Sequence, residues 1–199
     1  SDAPTMFAAS TTSGSSVSGA SALLASGTAL AGDGDSTSAG ANSQLSEGQK
    51  IAKRYSLLDK LGEGGVGEVW RAFDSVARQD VALKFVASKW SNDTRILQTL
   101  SDEVTTARRL PGHKNLLRIF DVHLQENPPF VSYEYAPHGD LHERWLKEGK
   151  RLAPKVVLDI LKQVLAGLEV VHEAGLVHQD IKPANVLFGP RDEVKLIDY

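Results

Sequence analysis

Three clusters of residues carry side chains and backbone fit for chemistry. The first is the glycine-rich run Gly62-Glu63-Gly64-Gly65-Val66-Gly67-Glu68-Val69. Glycine turns let backbone N–H groups approach a polyphosphate with no Cβ in the way. The spacing of Gly62, Gly64 and Gly67 is ambiguous by itself, because dinucleotide sites share it. Here Val69-Trp70-Arg71-Ala72-Phe73 continues as strand, not helix, so the run reads as a strand–loop–strand flap over a nucleotide. The second cluster is Lys84, in Val81-Ala82-Leu83-Lys84-Phe85, with Glu103. A lysine inside an apolar strand needs a partner or a ligand. The competing reading is a surface lysine on an alternating strand, and Glu103 decides between them. Leu100 precedes it by three residues and Ala107 follows by four, so its carboxylate lies on or beside an apolar helix face, where it can hold an ammonium. The third and most specific cluster is His178-Gln179-Asp180-Ile181-Lys182-Pro183-Ala184-Asn185, followed by Val194-Lys195-Leu196-Ile197-Asp198-Tyr199. It supplies two carboxylates, a lysine and an amide between apolar strand residues. Transfer of a phosphoryl group needs such parts: a carboxylate for the acceptor hydroxyl, oxygen ligands for a hard cation, and a positive charge on the phosphates.

The elements that must position these groups follow from periodicity. Strands are predicted at 55–61, 66–74 and 80–86, then at 116–124 and 130–135 around Asn127-Pro128-Pro129, and finally at 186–188 and 194–197. Helical spacing is predicted over 93–110, 141–148 and 154–174. In the last of these, Val157, Ile160, Leu161, Val164, Leu165, Leu168 and Val171 form one apolar stripe expected to be buried, and Gly175 is placed to end the helix. A mainly antiparallel sheet with one helix, followed by a helical region, is an α+β arrangement.

Composition divides the chain in two. Residues 1–50 contain 34 Ser, Thr, Ala or Gly, with Lys50 the only base, so this stretch has little to bury and reads as a disordered tail. Residues 51–199 read as the globular part, with 21 bases against 21 acids. The net charge of −3 gives no basic footprint, so no nucleic-acid partner is expected. Without cysteine, disulfides and thiolate metal sites are excluded, which fits a cytoplasmic location. No apolar run is long enough to span a bilayer. The chain starts at Ser1 and its last residues read as an unfinished strand, so a piece of a longer protein is expected.

With its landmarks in this order from about residue 55 to residue 199, the sequence resembles the eukaryotic-like Ser/Thr protein kinase family, in its bacterial form. The resemblance implies a bilobal fold: a β-rich lobe with one helix over about 51–135, and the first part of a helical lobe over about 136–199. It implies an ATP site with Mg²⁺, or alternatively Mn²⁺, and a protein substrate phosphorylated on Ser or Thr. Carried over residue by residue, Lys84 contacts the α- and β-phosphates and pairs with Glu103, while Leu61 and the glycines 62, 64 and 67 cover the nucleotide. Asp180 is the catalytic base, Lys182 neutralises the γ-phosphate, and Asn185 and Asp198 hold the metal. Glu134 and Ala136 offer hinge backbone to adenine, Asp140 reaches the ribose, and Val69, Ala82 and Leu187 enclose the ring. Lys182, two residues past Asp180, resembles the Ser/Thr subclass.

Gln179 stands where the family usually has arginine, which puts a requirement for activation-loop phosphorylation in doubt, and Tyr199 stands where it usually has phenylalanine. Two alternatives stay beside the kinase reading: a small-molecule phosphotransferase, which Lys182-Pro183 argues against, and a nucleotide-binding pseudokinase, which retention of Lys84, Asp180, Asn185 and Asp198 argues against. The 199-residue piece by itself is expected to have little kinase activity, because no helical partners for the stripe on 154–174 come after it.

Overall fold

The computed structural model describes residues 45–64 and 67–199, with the backbone alone at Gly64 and Glu103. Residues 1–44, and with them nearly all of the expected tail, lie outside the described residues, as do Gly65 and Val66. The globular part begins earlier than position 51. Leu45 packs against the core, and Gly48, at φ +77°, turns the chain so that its N–H reaches the Leu57 carbonyl at 2.8 Å.

Six strands form one antiparallel sheet: β1 (Lys50–Ile51), β2 (Tyr55–Gly64), β3 (Gly67–Asp74), β4 (Gln79–Val86), β5 (Ile119–His123) and β6 (Phe130–Glu134), in the order β1-β2-β3-β4-β6-β5. Alternation along β3 and β4 sets their register. Val69 and Ala82 are buried on one face, Trp70, Ala72, Val81, Leu83 and Phe85 on the other, and Val69 lies opposite Lys84. The helix α1 (Thr94–Arg108) starts at Asp93, whose carboxylate accepts from the Arg95 N–H at 2.9 Å, and it buries Val104 and Ala107. After β6 come α2 (Leu141–Lys147), α3 (Pro154–Glu173), and a two-stranded sheet of β7 (Val186–Phe188) and β8 (Val194–Leu196).

Two sequence expectations change. The strand predicted at 116–124 begins only at Ile119, because Leu116 and Leu117 are drawn to β8: Leu117 N–H donates to Leu196 O at 2.7 Å, and Leu196 N–H to Asn115 O at 2.8 Å. This seam joins the α1–β5 connection to the small sheet. The stripe on α3 is not buried as a whole. Ile160, Val164 and Val171 face the core, whereas Leu161 is 48% and Leu165 63% exposed, with Val157 also open. At 3.6 residues per turn a stripe that wide spans more than one contact surface, and among the described residues the half toward Leu116, Phe188 and Leu196 is the one that packs.

Candidate active site

The turn between β2 and β3 places the glycines. Gly64 lies opposite Gly67, and Gly62 opposite Val69. Gly67 has no substitute: at φ +153° a Cβ would run into the Phe85 carbonyl oxygen and stand 2.9 Å from the Ala87 nitrogen. The flap is therefore pressed against β4, the strand that carries Lys84.

Val69, Ala82 and Leu187 belong to one buried apolar cluster, with Leu61 and Ala136 packed at its margin. The residues expected to enclose a planar ring are thus brought together by β2, β3, β4, β7 and the segment after β6. Ala136 lies just past the end of β6, and among the described residues its N–H and C=O make no backbone hydrogen bond. A free donor–acceptor edge beside an apolar wall is what an adenine recognises. The Glu134 N–H, in contrast, is taken by the Arg118 carbonyl at 2.8 Å.

The polar end of the site is built by the irregular segment before β7. Asp180 is gripped from two sides: Lys182 Nζ donates to its Oδ2 at 2.7 Å, and Asn185 Nδ2 donates to its Oδ2 at 3.0 Å and to its backbone carbonyl at 2.8 Å. The Lys182 hydrogen bond, helped by the one from Asn185, holds the Asp180 carboxyl below its ordinary value. It is therefore ionised at neutral pH, and its side chain is still 44% exposed to whatever approaches. Gln179 is exposed beside it, at φ +60°.

Asn185 is fully buried, and once its amide nitrogen is spent on Asp180 its Oδ1 has no partner. Asp198 Oδ2 is also buried without a partner, on a residue held at φ +60°. Buried acceptors are seldom left unpaired without a function, and strained backbone of this kind concentrates at functional sites. Two hard oxygens in this condition fit a divalent cation. Among the described residues no group of three or more His, Cys, Asp or Glu gathers elsewhere as a competing metal site.

Asp140 caps a helix. It is buried as the N-cap of α2, where its Oδ1 accepts from the Glu143 N–H at 2.7 Å, and burial pushes its carboxyl above the ordinary value. The signal was present as Asp140-x-x-Glu143, the spacing of a capping box. Glu103 falls within α1, next to the buried Val104, and its side chain lies outside the described ones, so the expected Lys84–Glu103 pair does too.

One polar residue went unnoticed in the sequence. Lys195, on β8 between Val194 and Leu196, is buried and its Nζ meets Glu134 Oε1 at 2.7 Å. A cation flanked by apolar residues in a short strand was the available cue. Tyr199 is tied in nearby: its hydroxyl donates to the Leu117 carbonyl at 2.8 Å, and burial, with Glu134 and Asp198 close by, pushes its pKa up to about 12.

A β-rich lobe with a glycine flap, a hinge with a free backbone edge, and a carboxylate–lysine–amide loop ahead of a second carboxylate define a phosphotransferase of the bilobal kind. The sequence profile of the protein kinase domain matches residues 55–199, and the chain belongs to the protein kinase family. It is 33% identical over 153 residues to the serine/threonine-protein kinase PknL of Mycobacterium tuberculosis, covering 77% of this chain and 38% of that protein. To the serine/threonine-protein kinase PrkC of Bacillus subtilis it is 30% identical over 152 residues, covering 76% and 23%. The cell division control protein 2 homolog 3 of Trypanosoma brucei brucei is 36% identical over 157 residues, covering 78% and 50%. The chain thus spans half or less of the length of these three relatives. The family is one of enzymes that use ATP and a divalent metal to act on proteins. No helix among the described residues is long and apolar enough to cross a membrane.

Proposed function

We propose that this chain carries the nucleotide site and catalytic loop of a protein kinase that transfers the ATP γ-phosphate to Ser or Thr of proteins. The observation that carries the proposal is the Asp180–Lys182–Asn185 arrangement, with the Asn185 and Asp198 oxygens left unpaired beside it. Magnesium-bound ATP supplies the phosphoryl group and the charge that neutralises it, with Mn²⁺ as the alternative metal. Asp180, ionised and oriented by the Asn185 amide, accepts the proton of the substrate hydroxyl. Lys182 stands where it can turn from Asp180 to the phosphate oxygens. Asn185 Oδ1 and Asp198 Oδ2 would hold the metal, Lys84 the α- and β-phosphates with Glu103 behind it, and Ala136 the adenine edge. Such a site works by positioning and preset electrostatics rather than covalent chemistry. Because ATP is the donor, the reaction belongs on the cytoplasmic side of any membrane.

The test has two parts. Calorimetry of this chain with ATP should show binding that strengthens with Mg²⁺, and Asp198→Asn should lose most of that gain while keeping metal-free binding. In the longer parent protein, wild type should label Ser or Thr of a generic protein from γ-labelled ATP, and Asp180→Asn should not. Equal labelling by both proteins would remove Asp180 from the mechanism. Magnesium-dependent binding with no labelling by either would make the site a regulatory nucleotide module.

A further inference from the structure

Behind the hinge lies a cavity of about 590 Å³, within the size range of small-molecule sites. It shares only Glu134 with the nucleotide site, so its chemistry is independent of whether ATP binds there. Its apolar lining includes Leu110, Ile119 and the Tyr199 ring. Arg108, Lys114 and Arg118 line it as well. Among the described residues, none of these three cations belongs to an ion pair. The carboxylate in the lining does not compensate them, because Glu134 is already matched by Lys195 at 2.7 Å. Nor does Tyr199, whose hydroxyl keeps its proton on the Leu117 carbonyl. The Arg118 guanidinium lies near Gly112, with Nη2 4.0 Å from where a Cβ on that glycine would stand. Two guanidinium groups and an ammonium beside an apolar wall match a dianionic head on an apolar body. Arginine forks fit phosphate oxygens two at a time, and three uncompensated charges suit a phosphate better than a single carboxylate.

We propose that this cavity is a second ligand site, which takes a small phosphorylated organic molecule with its phosphate among Arg108, Lys114 and Arg118 and its apolar body against Leu110, Ile119 and Tyr199.

Phenyl phosphate is the probe, titrated calorimetrically into this chain without nucleotide or metal, with inorganic phosphate run in parallel. Saturable binding of phenyl phosphate in the millimolar range is expected, tighter than that of inorganic phosphate. The double variant Arg108→Ala/Arg118→Ala should weaken it at least about tenfold, the loss of roughly one charge-assisted contact. Both arginines are exposed, so the variant should retain the wild-type circular dichroism and thermal midpoint. Lys84→Ala, which empties the nucleotide site of its cation, should leave phenyl phosphate binding unchanged. No saturable binding by wild type would overturn the proposal. So would binding that survives the arginine substitutions and disappears with Lys84→Ala, or equal affinity for the two probes.

Discussion

Replacing Lys195 by methionine isolates the buried charge pair behind the hinge. The Lys195 side chain is 9% exposed and that of Glu134 is 25% exposed, with 2.7 Å between Nζ and Oε1. Removing one partner of a fully buried pair costs about 3–5 kcal/mol, most of it from stranding the other charge. Glu134 is not fully stranded. It keeps the Arg118 N–H at 3.2 Å and a quarter of its surface in water, so about 2 kcal/mol is expected for Lys195→Met. Glu134→Gln leaves the more deeply buried ammonium with only Glu193 Oε1 at 3.9 Å, so about 2 kcal/mol is again expected. The double variant restores a neutral site of similar volume and should cost about 1 kcal/mol or less, giving a coupling of about 3 kcal/mol. Equilibrium urea unfolding followed by far-UV circular dichroism measures all three, provided each transition is two-state with an unchanged slope. If the two single costs simply add in the double variant, the pair does not hold β6 to β8, and the contact between Lys195 and Glu134 is not a stabilising one.

The same structure sets two further expectations. Gly67→Ala should destabilise by at least about 1 kcal/mol, since the new Cβ meets backbone atoms of Phe85 and Ala87 that cannot rotate away; a thermal midpoint equal to wild type would contradict this placement. Asp74 is buried, bonded by Arg54 at 2.7 and 2.9 Å, and the Arg54 hydrogen bonds lower its carboxyl pKa. A depressed folded-state pKa means its stabilisation is present above the unfolded value near 4 and is lost as pH falls through the folded one. Asp74→Asn should therefore cost about 2 kcal/mol at neutral pH. The variant should also lose less stability than wild type between neutral and acid pH, and parallel pH curves for the two would refute the assignment.

Much of the site was legible because its parts are close in sequence. The run from His178 to Asn185 is contiguous, and a loop that short brings Asp180, Lys182 and Asn185 together whatever surrounds it. The flap was legible for a related reason: strand residues on both sides of the glycines leave a hairpin as the simple solution. What stayed hidden depends on contacts between distant segments. Periodicity gave the apolar stripe of α3 but not which half would meet Leu116 and Leu196. It gave Leu116 and Leu117 as strand residues, but not that β8, some eighty positions later, would claim their backbone. Lys195 went unnoticed because its partner Glu134 is identified only by the fold.

The seam between the α1–β5 connection and β8 has a consequence for the order in which the molecule is made. Asn115 Nδ2 bonds the Val194 carbonyl at 2.9 Å across 79 positions, and Tyr199 closes on Leu117 across 82. On a ribosome the six-stranded sheet is complete once Glu134 has emerged, whereas the Leu117 amide still lacks its acceptor. Until Leu196 emerges, a nascent chain carries an assembled sheet with an open edge at Asn115, Leu116 and Leu117. That edge closes only after β8 has left the ribosome, so this part of the molecule folds after the six-stranded sheet it is joined to.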